Sequence, residues 1–199
     1  MEAASFATAY AFSTSVGIRP FLTLAIASLA IHMGWIHTAH QFAYLGTNGA
    51  TWILAGLAAI ELAADKIPVV DHTMHAVHFA TKPIAALLLV GTALPDAGAS
   101  DVSNPLVLAS DAMVGAGALN ALGVHAGVTA LRGASTGMTL GVANPVISVI
   151  EDVASVAATV LAIVLPFVAA AIAVAVSIAL VLIARWLVLG WRQRVSSTV

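Results

Sequence analysis

Long apolar runs separated by short polar breaks dominate the chain. Between Arg19 and Glu61 there is no Asp, Glu, Lys or Arg. A membrane helix needs about 20 mainly apolar residues, so this run is too long for one span and suits two. The turn sequence Gly46-Thr47-Asn48-Gly49 divides it. The same reasoning along the chain predicts six spans, at about residues 20–43, 50–66, 72–94, 105–131, 145–165 and 167–190.

Prolines support these boundaries, because proline is favoured in the first turn of a helix, where its missing N–H costs nothing. Five of the predicted spans begin at or close after a proline, namely Pro20, Pro68, Pro105, Pro145 and Pro166. Pro83 lies inside the third span and predicts a kink there. The pattern therefore predicts an all-α fold, a polytopic transmembrane helix bundle with Pro- and Gly-broken helices, in a single integral membrane domain over residues 1–199. A rival interpretation is that residues 66–82 or 144–165 are re-entrant.

Composition strengthens the membrane assignment. Hydrophobic residues make up 61% of the chain and charged residues 8%, against about 25% charged residues in soluble domains. A water-soluble globule is excluded, and the lipid bilayer is the expected surrounding. The chain has no cysteine, which excludes disulfides and thiolate metal sites, and its net charge of −2 without a basic patch gives nucleic acid no binding surface.

Charge asymmetry predicts the topology. All seven Lys and Arg residues fall on the side of the termini: on the termini, on the connections after the second and fourth spans, or in the adjoining halves of the third and sixth spans (Lys82 and Arg185). Asp96 and Asp101 fall on the opposite side. Basic residues favour the cytoplasmic side. With six spans, both termini are then expected to be cytoplasmic.

Ionisable residues inside the predicted spans are the candidate functional residues, because each costs about 2.5–3.5 kcal/mol in hydrocarbon. At a rise of about 1.5 Å per residue, Glu61 and His32 both fall near mid-membrane, where they could meet. Asp65 lies one turn from Glu61 on the same face. Glu151 and Asp152 open the fifth span, either inside the membrane or at the cytoplasmic headgroup level. The predicted polar path comprises Glu61, Asp65, Asp71, Glu151, Asp152, His32, Lys66, Lys82, Arg132, Asn144 and Ser148.

The start of the third span carries a second pattern. Asp71, His75, His78 and Lys82 follow the spacing i, i+4, i+7, i+11, which places them on one face of a helix. A carboxylate with two imidazoles is a ligand set that zinc, iron or nickel accepts. Three interpretations stay open: a proton-labile or ion-paired stripe, a divalent transition-metal site at Asp71, His75 and His78, or interface residues without chemistry.

Several segments together resemble a known family. These are Ser15-Val-Gly-Ile-Arg-Pro-Phe21, the E-x3-DK-x-P-x2-D string from Glu61 to Asp71, Thr81-Lys-Pro83, and the NP-x2-S-x2-ED string from Asn144 to Asp152. They resemble a bacterial family of polytopic membrane proteins catalogued only as a domain of unknown function. The resemblance implies a compact helix bundle in the bacterial cytoplasmic (inner) membrane and supplies no catalytic residues.

The favoured functional hypothesis is a small secondary transporter or channel for an ion or small solute, with no enzymatic activity. Nucleophile-elbow and phosphate-binding motifs are absent from the sequence. Because 199 residues are few for a transporter, a homo-oligomer is expected, most simply a dimer. The alternative is a non-catalytic accessory or scaffold subunit of a larger membrane complex, and a third possibility is a membrane-embedded metal-binding protein.

Overall fold

The computed structural model describes residues 2–66, 68–94, 97–101 and 103–196. Within these ranges every regular element is helical, which confirms the all-α prediction. The helices are α1 (Glu2–Ile18), α2 (Pro20–His32), α3 (Asn48–Ala64), α4 (Pro68–Ala93), α5 (Pro105–Thr139), α6 (Asn144–Val164) and α7 (Pro166–Ser196), with a 3-10 helix at His40–Gly46 between α2 and α3.

Helix α1 forms the centre of the bundle. Its residues Ala9, Phe12 and Val16 are buried, and it packs against α4, α5, α6 and α7. A Cβ atom at Gly17 would lie 2.6 Å from the Cβ of Val124 on α5. Small residues let helix backbones approach closely in lipid, and Gly17 does so here.

Contacts between helices fix their directions. Thr8 at the start of α1 donates to the carbonyl of Ala162 near the end of α6 (3.2 Å), whereas Arg19 after the end of α1 donates to Ser148 near the start of α6 (2.9 Å). The two helices are therefore antiparallel. Arg19 has extended backbone angles (φ −134°, ψ 97°), as the residue before a proline prefers, so α2 turns back from α1.

Among the residues that the structure describes, three helices are long and apolar enough to cross a membrane: Pro105–Thr139, Asn144–Val164 and Pro166–Ile183. Three shorter apolar helices accompany them: Pro20–His32, Asn48–Ala64 and Val77–Ala93. The helix starts predicted from proline agree with the structure, and Pro83 lies inside α4.

The first predicted span, residues 20–43, differs from the structure because α2 ends at His32. Gly34 has a φ of +75°, and its N–H donates to the carbonyl of Ile31 (3.0 Å), while Trp35 N–H donates to Ala30 (2.8 Å). This pair of bonds is a Schellman cap, which ends a helix at a glycine.

The contacts between α1 and α6 correct the prediction that both termini lie on one side. That prediction placed residues 1–19 outside the spans, whereas α1 runs along α6 inside the bundle. Along α5 from Asn120 to Gly127, the neighbour on α7 advances from Ser177 to Leu180, so α7 runs parallel to α5 and antiparallel to α6. The beginning of α1 and the end of α7 therefore lie at opposite ends of the bundle.

Candidate functional site

A group of buried charged side chains, called here the charge network, lies inside the bundle near the ends of α1, α3 and α5. Its members are Arg19, Glu61, Asp65, Lys82, Arg132 and Glu151, and each side chain is at most about a tenth exposed. Arg132 lies seven residues before the end of α5, and Glu151 seven residues after the start of α6. At about 1.5 Å per residue, the network lies about 10 Å inside those helix ends.

Arg132 and Glu151 form the strongest pair. Arg132 Nε donates to Glu151 Oε1 (2.9 Å), and Arg132 Nη2 donates to Glu151 Oε2. The same Nη2 also donates to Oδ2 of Asp65, the residue directly after α3 (3.2 Å). A bidentate guanidinium–carboxylate pair combines charge attraction with fixed geometry, so Arg132 ties α5 to both α3 and α6.

Arg19 connects the α1–α2 junction to the same carboxylates. Its Nη1 forms an ion pair with Asp65, and its Nη2 lies 3.4 Å from Glu151 Oε2. Its Nη2 also donates to the hydroxyl of Ser148 (2.9 Å) and to the Ser148 carbonyl (3.2 Å). Its Nε lies 2.8 Å from Asp152 Oδ1, an ion pair without hydrogen-bond alignment. The guanidinium is 1% exposed, so these contacts replace its hydration.

Glu61 is fully buried and is positioned by the start of α2. Its Oε2 accepts the N–H of Leu22 (3.0 Å), and its Oε1 lies 3.2 Å from His78 Nε2 on α4. The first N–H groups of a helix lack intrahelical partners and attract negative charge. The break at Arg19 thus exposes donors to which Glu61 binds.

Lys82 completes the network from α4. Its side chain is 2% exposed, and its Nζ lies 2.9 Å from Nδ1 of His125 on α5. The buried charges balance formally, with Arg19, Lys82 and Arg132 opposite Glu61, Asp65 and Glu151. A further pair, Lys66 and Asp152 (3.3 Å), lies at the edge, where Lys66 is 47% exposed.

The network encloses little space. A cavity of about 10 Å³ is lined by Arg19, Asp65, His78, Lys82, His125, Arg132 and Glu151, with two aliphatic residues. This volume is about what a single water molecule needs. In this conformation the site is too small for a continuous chain of water molecules.

Most of the predicted path residues meet here. The structure brings together Glu61, Asp65, Glu151, Asp152, Lys82, Arg132 and Ser148, with Lys66 at the edge. Asn144 is separate, because its Nδ2 donates to Thr136 Oγ1 (2.9 Å) near the end of the bundle. The side chains of Asp71 and His75 lie outside the described residues.

The predicted meeting of His32 and Glu61 is wrong. His32 Nδ1 lies 2.8 Å from the carbonyl of Gly46, whereas Glu61 contacts Leu22, ten residues earlier on α2. Ten helical residues span about 15 Å. The depth arithmetic failed because α2 is shorter than the predicted span.

The metal prediction stays a prediction. Of its three side chains, that of His78 is described, and it contacts Glu61. Among the described side chains, no three His, Asp or Glu residues converge on a point that could hold a metal ion. The remaining two ligands of the predicted set, Asp71 and His75, are not among those side chains.

Sequence reasoning missed Arg19 as a site residue and treated it only as a topological charge. The signal was the Arg19-Pro20 dipeptide between two uncharged stretches, because a basic residue at a helix break inside an apolar region needs buried counter-charges. His125 was likewise not among the predicted path residues, although its Nδ1 lies 2.9 Å from Lys82 Nζ in the site.

Comparison with known proteins gives a family but no function. None of the curated proteins and none of the solved structures matches the chain. The model of one family, described as a domain of unknown function (DUF4126), matches residues 6–186, which include every member of the charge network. The chain belongs to the DUF4126 family.

Proposed function

We propose that the protein is a small secondary transporter that moves an ion or small solute through the charge network. The observation that supports this most is the burial of six ionisable side chains inside an apolar bundle. Each costs several kcal/mol to place in a low-dielectric interior, and apolar residues of similar size would hold the helices equally well. Charges retained at such a cost are typical of ion pathways.

A transporter fits better than an open channel. The network is closed by ion pairs and encloses about 10 Å³, so transport requires these pairs to separate. A space of this size favours an inorganic ion over a large solute. Helices broken inside the bundle, with helix N-terminal N–H groups aimed at an anion, are typical of secondary transporters. The Leu22–Glu61 bond at the start of α2 has this kind of arrangement.

The α2–α3 pair is the best candidate for the moving element. Helix α3 packs mainly on α2 and buries only Ala58, Glu61 and Ala64. Nevertheless, α3 and its C-cap residue Asp65 contribute two of the three carboxylates of the network. A movement of α2 and α3 about the break at Arg19-Pro20 would withdraw Glu61 and Asp65 from their partners and open the site.

The proposal includes an orientation in the bacterial inner membrane. The exposed residues Lys66 and Arg185 belong to the end where the network lies, and Asp101 and Asp111 belong to the opposite end. At that opposite end, the hydroxyl and N–H of Ser103 donate to Asp101 and lower its pKa, which keeps it ionised. The positive-inside rule then places the C-terminus in the cytoplasm and the N-terminus outside.

Reconstitution tests the proposal. Purified protein in liposomes should conduct at least one of four probe ions, namely H⁺, Na⁺, K⁺ and Cl⁻, faster than protein-free liposomes. The double variant Arg132→Met/Glu151→Leu should fold, because it replaces a buried pair with apolar side chains, and should lose this flux. Absence of flux for all four ions in the wild-type protein would refute the proposal.

A scaffold subunit is the second candidate, and the formal balance of charges favours it. Three buried cations face three buried carboxylates, an arrangement that could serve assembly alone. A scaffold should co-purify from its native membrane with a larger partner at a fixed ratio and should show no flux by itself.

The transporter proposal includes a homo-oligomer, most simply a dimer. The mass of the purified protein in detergent would measure the number of chains in it.

A further inference from the structure

Lys82 is a buried ammonium with unfilled hydrogen-bond donors. The residue is 2% exposed, and its Nζ makes one hydrogen-bond contact, with Nδ1 of His125 (2.9 Å). Among the described residues it forms no ion pair with a carboxylate. An ammonium carries three donor hydrogens and no acceptor, so two of these donors lack a partner in the described part of the chain. A buried donor without a partner costs free energy, and a ligand that accepts from Nζ would recover it.

The small cavity of the charge network adjoins this ammonium. Lys82 is one of the residues that line this space of about 10 Å³. The volume suits a single water molecule or a monatomic ion, and a polyatomic ion such as phosphate does not fit. A ligand held in the cavity therefore lies next to a buried positive charge.

Two further side chains that line the cavity carry unpartnered nitrogen atoms. Within the described residues, Arg19 Nε and His78 Nε2 have no aligned hydrogen-bond partner. A guanidinium nitrogen can only donate, and an imidazole nitrogen donates when it carries the proton. The carboxylate oxygens without an aligned partner belong instead to Glu61 and Asp152, which do not line the cavity. The surroundings of the cavity thus favour a ligand that accepts hydrogen bonds.

The charged side chains around the cavity carry one excess positive charge. Three cations and two carboxylates line it, namely Arg19, Lys82, Arg132, Asp65 and Glu151. The third carboxylate of the network, Glu61, is held outside this lining by the Leu22 N–H and by His78. With neutral histidines, one monovalent anion would neutralise the lining, whereas a cation would double the excess charge and a water molecule would leave it unchanged.

The two lining carboxylates are already occupied by arginines. Glu151 accepts from Arg132 at both of its oxygens. Asp65 Oδ2 faces both Arg19 Nη1 and Arg132 Nη2. A carboxylate paired with a guanidinium repels an approaching anion far less than a free carboxylate does, so the charge of Lys82 dominates the field that the ligand meets.

We propose that the transported ion is a small monovalent anion and that it binds in this cavity to the Lys82 ammonium. This inference rests on the proposed transport function, and it names the substrate class of the same site. The bound anion accepts from Nζ and compensates the excess positive charge. When a movement of α2 and α3 withdraws Asp65 from the arginines, the anion takes over part of the negative charge that they lose.

Equilibrium dialysis of the purified protein in detergent against radiolabelled chloride tests the site. The wild-type protein should bind one chloride per chain, and excess gluconate, which is too large for the cavity, should not displace it. Lys82→Met should bind chloride about tenfold more weakly or worse, because a charge-assisted hydrogen bond is lost. Arg185→Met is the matched control, since it removes an exposed positive charge on α7, and it should bind chloride as the wild-type protein does. If Lys82→Met does not fold, Lys82→Gln takes its place with the same expectation.

The outcomes separate this inference from the proposed function. Absence of saturable chloride binding by the wild-type protein would mean that water alone fills the cavity and would overturn the inference. Equal chloride affinity of the wild-type protein and the Lys82 variant, or an equal loss of affinity in Arg185→Met, would also overturn it. In liposomes, flux of H⁺, Na⁺ or K⁺ without chloride flux would refute the anion while leaving the transporter intact, whereas no flux of any of these four ions would refute both.

Discussion

The Arg132–Glu151 pair gives the sharpest test of the buried charge network. Truncating one partner of a buried ion pair leaves the other charge uncompensated and costs about 3–5 kcal/mol. The Arg132 and Glu151 side chains are 7% and 10% exposed, so we expect Arg132→Met and Glu151→Leu each to destabilise the protein by about this amount. In a protein of this size that corresponds to a fall in melting temperature of about 6–20 °C.

The double variant should be far more stable than the sum of the single effects, because each substitution removes the charge that the other leaves unpaired. A coupling free energy of about 1–3 kcal/mol is expected for residues in direct contact. Unfolding in detergent, monitored by the loss of helicity, gives the stability of the wild-type protein, both single variants and the double variant. The matched control is a cycle on Lys66 and Asp152, where Lys66 is 47% exposed, and its coupling should be below about 1 kcal/mol. Additive effects within about 0.5 kcal/mol at Arg132 and Glu151 would refute the reasoning.

Three further predictions concern packing, topology and metal content. Gly17→Ala should destabilise the protein by about 1–3 kcal/mol, because its new Cβ would meet Val124 on α5 at 2.6 Å, whereas Gly56→Ala, with no heavy atom within 4 Å, should leave melting temperature unchanged or higher. Because the natural chain lacks cysteine, an impermeant thiol reagent should label Ala3→Cys and Ser196→Cys from opposite sides of the membrane, and labelling from one side would contradict the direction of α1. The metal hypothesis predicts stoichiometric zinc, iron or nickel in elemental analysis of purified protein, and metal-free protein after growth with added metal would count against it.

The helix starts and much of the charge network could be predicted from sequence because each depends on local rules. Proline at N1 marks a helix start regardless of the tertiary packing. The carboxylates Glu61 and Glu151 stood out because a charge is rare in apolar surroundings. That these carboxylates converge could also be predicted, because a membrane restricts its helices to a few orientations.

Sequence reasoning failed where tertiary contacts compensate for weak local signals. Helix α1 precedes the first predicted span and carries several Ser and Thr residues, but Ser13 donates to the carbonyl of Tyr10 within the helix (2.7 Å) and accepts from Asn120 on α5 (2.8 Å). Such bonds satisfy hydroxyls inside a bundle. The site role of Arg19 depended on α1 being inside the bundle, so missing the helix also meant missing the arginine.

Removal of one buried charge in the reconstituted protein tests the central claim most directly, namely that the charge network is the path for transport. Glu61→Gln keeps the shape of the most deeply buried carboxylate and removes its charge, and the control Asp111→Asn makes the same change at an exposed carboxylate that accepts the Gly98 N–H at the opposite end (2.8 Å). Both variants should be purified as folded protein and compared for ion flux in liposomes. We expect Glu61→Gln to abolish the flux and Asp111→Asn to retain it, and a folded Glu61→Gln variant with wild-type flux would contradict the claim.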